Sequence, residues 1–324
     1  MRPVPVAFHI WFVEVHTYGI GLALTFWFGL RYTERRLRKA GYPWQWVTGM
    51  FLWVILAAIV GARALHVIAN FGDYVHSPAQ IIAIWQGGLS SFGGILFAVP
   101  VAIVSARRRC PQLATFRFAD LMAPVLMASW ALGRLLGPQL MRAGGGHPTH
   151  QWFGMYYADQ VGKRLPVPLF QAAEDFSIFV VLLLVERWLR KVAPQPVTAA
   201  AGEPVPEGVL PPAGIVLGAG MLLWGIERFL DEHLWLSGGG LGSDLTQLAG
   251  VALALAGLVL LASRYRALAA WRSGAPAGAV AGGVPGEDAG SGTDAPERSD
   301  ADRTAEGTAA PSGVAGLDGA LLPE

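Results

Sequence analysis

Residues 81–97 read IIAIWQGGLSSFGGILF, four glycines and two serines set into an otherwise apolar run. The run is long enough to cross a bilayer. Its small residues cost helix stability and bury no side-chain area. Something other than packing into lipid wants this backbone close or bent. Whether the run has companions decides the fold.

It has six. Apolar stretches near twenty residues, the length a helix needs to cross hydrocarbon, lie at roughly 16–31, 44–69, 81–105, 118–140, 168–188, 211–235 and 245–265. Of the 324 residues 53% are hydrophobic and 15% are charged, against about a quarter charged in soluble domains. The expected fold is all-α, a polytopic membrane protein with seven transmembrane helices. A formal charge of +1 gives no sign of a nucleic-acid partner, and a single cysteine, Cys110, excludes an internal disulfide. The opening MRPVPVAFHIWFVEV has one Arg and no A-x-A site, so it reads as mature sequence rather than a signal peptide.

The connections carry the orientation. RYTERRLRKAGY, ARRRCPQLATFR, ERWLRK and SRYRALAAWR hold fifteen Lys and Arg on one side; the other side holds four. The positive-inside rule then puts the N-terminus outside and the C-terminus in the cytoplasm. Residues 1–273 form the expected membrane domain. Residues 274–324 are rich in Gly, Ala, Pro and Asp, net acidic, and read as a disordered cytoplasmic tail.

This topology places unusual polar residues at one depth. His16 and Tyr18 fall where the first span enters, Arg63 and His66 in the outer half of the second, and GGLSSFGG in the outer half of the third. Arg134 falls near the outer end of the fourth span, and Glu227, Arg228, Asp231 and Glu232 near that of the sixth. An ionised side chain within a span costs about 2.5–3.5 kcal/mol on insertion scales, so it usually faces a cavity. The plainer alternative is a set of helix-end charges that snorkel to headgroups. Arginine's planar fork suits phosphate oxygens, and at the outer leaflet the abundant phosphate is a phospholipid headgroup. The glycines either let backbone approach that ligand or form a helix–helix contact. Arg228 and Glu232, four apart, share a helix face as an ion pair or a catalytic pairing.

With these residues in view, GARALHV…NFGDYVHSPAQIIAIWQGGLSSFGG (61–94) resembles the G-A-R-L-x-Y-V … I-W-x-G-G-L-S-F-H-G-G stretch of the bacterial prolipoprotein diacylglyceryl transferases. YGIG is similar to that family's early Tyr-Gly, and APVLMASWALGR to the approach to its signature Gly-Arg. LPVPLFQ looks like an eroded H-P-T-x-L-Y-E, and WGIERFLDE is similar to Y-G-x-x-R-x-x-x-E. The resemblance covers 15–265, and the chain is identified as a divergent member.

The resemblance implies seven spans and an enzyme of the bacterial inner membrane whose site faces the outer leaflet. That enzyme moves the diacylglyceryl group of phosphatidylglycerol onto the lipobox cysteine of a prolipoprotein, releasing glycerol phosphate. The implied catalytic residues are Arg134 and Arg228, holding headgroup and leaving phosphate, with Tyr18 as a hydrogen-bonding residue and Glu232 orienting the arginine. Arg63, with a headgroup or structural role, joins Gly87, Gly88, Ser90, Ser91, Gly93, Gly94 and Gly133 as the implied lipid-binding wall. No metal or other cofactor is expected. Phe92 stands at the family's His, Gln171 at its acid and Trp224 at its Tyr. His16, His66 and His147 are the alternative bases. A lipid-binding paralogue without this catalysis is the rival reading. A transporter would instead show inverted halves with matching broken helices, and no internal repeat is present.

Overall fold

The computed structural model describes residues 7–10, 13–75, 78–83, 90–137, 140, 144–158, 160–192, 210–236 and 241–273. Seven long helices occupy the seven apolar runs. They are α1 (Thr17–Lys39), α2 (Val47–Ala69), α4 (Ser91–Arg109), α5 (Thr115–Leu136), α6 (Val167–Val192), α7 (Ile215–Leu234) and α8 (Leu241–Arg272). A single short turn, α3 (Phe71–Tyr74), follows α2. Among the described residues, four stretches are long and apolar enough to cross a membrane: Val47–Ala69, Thr115–Leu136, Val167–Val192 and Ser243–Arg272. The expected tail, 274–324, lies outside the described residues.

Polarity is inverted relative to a soluble domain. Trp27, Leu52, Trp53, Ile68, Leu248 and Val259 are each more than 60% exposed, while Arg63, Asp120, Gln171, Asp175, Glu227 and Asp231 are buried. Apolar side chains facing outward suit lipid, and the polar groups are kept inside, where other protein groups can satisfy them.

The helices associate through small residues. α7 and α8 meet along Gly218 and Gly225 on one side and Gly250 and Gly257 on the other. A Cβ on Gly225 would stand 2.6 Å from the Gly250 carbonyl oxygen, and one on Gly257 would stand 2.7 Å from that of Gly218. Between α2 and α4 the same role falls to Gly61 and Gly93, each occupying the space a methyl on the other would need. Without a hydrophobic drive between helices in lipid, this close backbone packing is what holds such pairs.

Two boundaries differ from expectation. The third span does not begin at 81. Residues 78–82 form a 3₁₀ turn, and α4 starts only after Ser90, whose hydroxyl accepts the Gly93 amide at 3.4 Å. The first helix does not stop at 31 but runs through the basic stretch to Lys39. It continues because Thr33 and Leu37 are fully buried and Arg36 pairs with Glu186 of α6. Ahead of α1, where the sequence suggests only a short apolar run, β1 (Ala7–Ile10) and β2 (Val13–His16) form an antiparallel hairpin with Ala7 opposite His16. A second small hairpin, β3 (Met155–Tyr156) with β4 (Lys163–Arg164), lies between α5 and α6.

Candidate active site

A cavity of about 340 Å³ opens where the first turns of α4 and α6, an early turn of α8 and the last turns of α5 and α7 come together. Its polar wall carries Arg134 of α5, Arg228 of α7, Gln171 of α6 and Ser90 before α4. Its apolar wall carries Phe92, Ile95, Trp130, Trp224 and Leu236. The Trp130 and Trp224 rings meet edge to face, 5.3 Å between centroids. Two guanidiniums and three aromatic rings in one lining suit an amphipathic anion. The first turns of α4 and α6 add the partial positive charge of helix N-termini.

Behind the arginines lies a buried acidic group. Arg228 Nη1 donates to Asp231 Oδ2 at 3.0 Å, and Gln171 Nε2 donates to the same oxygen at 2.8 Å. Arg228 Nη2 stands 3.9 Å from Glu232, beyond hydrogen-bond length. Asp175, Glu227 and Asp231 also lie within electrostatic reach of Arg134. Carboxylate oxygens of Glu174, Glu227 and Asp231 fall within 4.8 Å of one another, a spacing that metal ligands also show. Here the acids stand beside two guanidiniums, which they outnumber.

The structure thus brings Arg134, Arg228 and Ser90 to one cavity, with Glu232 3.9 Å from Arg228 and outside the lining. It does not bring Gly93, Gly94 or Gly133. Gly93 and Gly94 pack against α2, and a Cβ on Gly133 would stand 3.7 Å from the Thr25 side chain of α1. None of these three lines the cavity, and a Cβ on each would meet a neighbouring helix. Arg63 is likewise away from the cavity. It donates to the Ile81 carbonyl at 2.9 Å and to that of Gln80, and stacks over Tyr74, so it ties residues 78–82 to α2. Gly87 and Gly88, and the side chains of Tyr18, His16 and Ser91, lie outside the described residues.

His66 sits against Asn70 and Tyr74, and His147 is in the loop before β3, its amide on the Trp235 carbonyl. Neither lines the cavity, whereas Phe92 does. Among the residues that sequence reasoning left aside, Glu174 and Asp175 carried a usable signal: an acidic pair inside an apolar run, FQAAEDFSIFVV.

The family model for prolipoprotein diacylglyceryl transferase matches residues 5–263. The chain belongs to this family. A phosphatidylglycerol–prolipoprotein diacylglyceryl transferase of Bacillus licheniformis is 32% identical over 197 residues, covering 56% of this chain and 70% of its own. Proteins of the same name from Nostoc and Nitrosospira multiformis are 26% and 28% identical, over 82% and 81% of this chain. Both Arg134 and Arg228 lie within the family match, as does every described residue of the cavity.

Proposed function

We propose that the protein transfers the diacylglyceryl group of phosphatidylglycerol to the lipobox cysteine of prolipoproteins. The observation that carries this reading is the meeting of Arg134 and Arg228, from separate helices, in one cavity that Phe92, Trp130 and Trp224 also line. The cysteine sulfur, as thiolate, attacks the glyceryl carbon that bears the phosphate ester. A carbon–sulfur bond forms, the carbon–oxygen bond to phosphate breaks, and glycerol phosphate departs with the electron pair. The thiol proton is accounted for by the phosphate monoester, which can hold one. Thiolate formation and charge growth on the leaving phosphate both profit from nearby guanidiniums.

Seven spans with the cavity towards the outer leaflet complete the proposal. The basic last turns of α1, α4, α6 and α8 support it, because the first turns of α4 and α6 and an early turn of α8 line the cavity at the other end. In a bacterium this is the inner membrane.

One observation favours a second reading. Phe92, on the cavity wall, offers no base, as in a protein that holds phosphatidylglycerol without transferring it. Release of glycerol phosphate from phosphatidylglycerol, dependent on a lipobox peptide, separates the two. The transferase releases it. The lipid-binding protein does not.

A further inference from the structure

The sequence offers Glu232, four residues after Arg228, as the acid that orients it. The geometry points elsewhere. Asp231 is 1% exposed and takes Arg228 Nη1 at 3.0 Å, while Glu232 stands 3.9 Å from Nη2. Both spacings put an acid on the arginine's helix face, and only the distances choose between them. We propose that Asp231 is the positioning residue of Arg228 and that Gln171 fixes it in place from α6. The inference rests on the reading of the cavity as a phosphatidylglycerol site.

The physical reason is rigidity. An arginine on a flexible stem loses side-chain freedom when it grips a ligand, and a partner that has already fixed its fork removes part of that cost. Asp231 holds one arm of the guanidinium from behind. The other arm, Nη2, is then the one directed to a phosphate oxygen. Gln171 matters because it comes from another helix and donates to the same carboxylate oxygen at 2.8 Å. It is also on the cavity wall, so the chain Gln171–Asp231–Arg228 spans the α6–α7 interface and returns to the ligand. Glu232, at 13% side-chain exposure and beyond hydrogen-bond length, balances charge without fixing the fork.

The test measures phosphatidylglycerol binding to the purified full-length protein in detergent, alongside transfer to a lipobox peptide. Asp231→Asn is expected to weaken binding about ten- to hundredfold, the worth of a charge-assisted hydrogen bond, and Glu232→Gln about threefold or less. In an Arg228→Ala background Asp231→Asn should add almost nothing, since its action passes through the arginine. A loss from Glu232→Gln equal to or larger than that from Asp231→Asn overturns the proposal, as does a full additional loss in the Arg228→Ala background. Should Asp231→Asn fail to fold, Gln171→Leu keeps the carboxylate and removes only its anchor. A severalfold loss of affinity then supports the proposal, and unchanged affinity overturns it. A wild type that binds phosphatidylglycerol but transfers nothing sinks the transferase reading, and the binding comparison still decides the role of Asp231.

Discussion

Gly61 of α2 and Gly93 of α4 meet backbone to backbone, so that a methyl on either one lands on the carbonyl oxygen of the other. One residue along, a methyl on Gly94 would make only ordinary contact, 3.5 Å from the Ala58 carbonyl oxygen. Gly61→Ala and Gly93→Ala should each cost about 1–3 kcal/mol through overpacking. Gly94→Ala should be neutral or gain up to about 1 kcal/mol from helix propensity. Thermal unfolding in detergent reads the contrast; equal losses at 93 and 94 would contradict the packing.

Asp120 joins the start of α5 to the start of α7. Its two carboxylate oxygens accept the amides of Gly214 at 2.6 Å and Leu217 at 2.8 Å. Those amides have no partner within α7, and Gly214, at φ 103°, is in the left-handed region that favours glycine. Asp120→Ala should therefore cost about 1–3 kcal/mol, with faster hydrogen exchange confined to the first turn of α7. Uniform exchange across the helix would count against a local cap.

At the end away from the cavity, Arg36 of α1 pairs with Glu186 of α6, both nearly buried. Removing one partner leaves the other charge stranded, so Glu186→Ala should destabilise by about 3 kcal/mol or more. Replacing both by apolar residues should recover most of that loss. A double variant as unstable as the single one would be inconsistent with this pairing.

Tyr157, in the loop after β3, is 3% exposed, and its hydroxyl has no hydrogen-bond partner among the described residues. Burial pushes the phenol up to about 12 from its ordinary 10.0. The folded state thus keeps the proton that the unfolded chain gives up, so stability should be level below pH 10 and fall as pH rises from 10 towards 12. Tyr157→Phe should be neutral to about 1 kcal/mol more stable at neutral pH. It should also lose the alkaline decline that this phenol contributes. Unfolding curves at pH 8 and 11 compare the two proteins.

On the proposed reading, Arg134 and Arg228 bind phosphate through fork geometry as well as charge. Arg228→Lys keeps the charge and loses the fork held by Asp231. Transfer should drop about a hundredfold, the scale for removing one preorganised donor from a developing anion. Activity within a factor of three of wild type would mean that charge alone suffices.

The seven apolar runs were legible because length and hydropathy are local properties, and each run became a helix. Their ends were less so. The basic stretch after residue 31 looks like a loop, yet Thr33, Leu37 and the Arg36–Glu186 pair carry α1 to Lys39, and that pair spans 150 positions. Arg134 and Arg228 could be singled out because charge inside a span is costly wherever it sits. The part played by the glycines could not be chosen from sequence. A close approach to ligand and one to another helix leave the same letters, and only the position of Gly61 decides for Gly93. The choice between Asp231 and Glu232 was hidden in the same way, both lying on the arginine's face. Asp120 stood out only as a charge inside a span, and its capping role was hidden, since the amides it caps are 94 and 97 residues away.

The most direct measurement is mass spectrometry of a lipobox peptide after incubation with phosphatidylglycerol vesicles and the purified protein. The expected result is one diacylglyceryl group on the cysteine, matched by released glycerol phosphate and absent with Arg134→Ala. An unmodified peptide, from wild-type protein that still binds phosphatidylglycerol, would contradict the transferase reading and leave a lipid-binding member of the family.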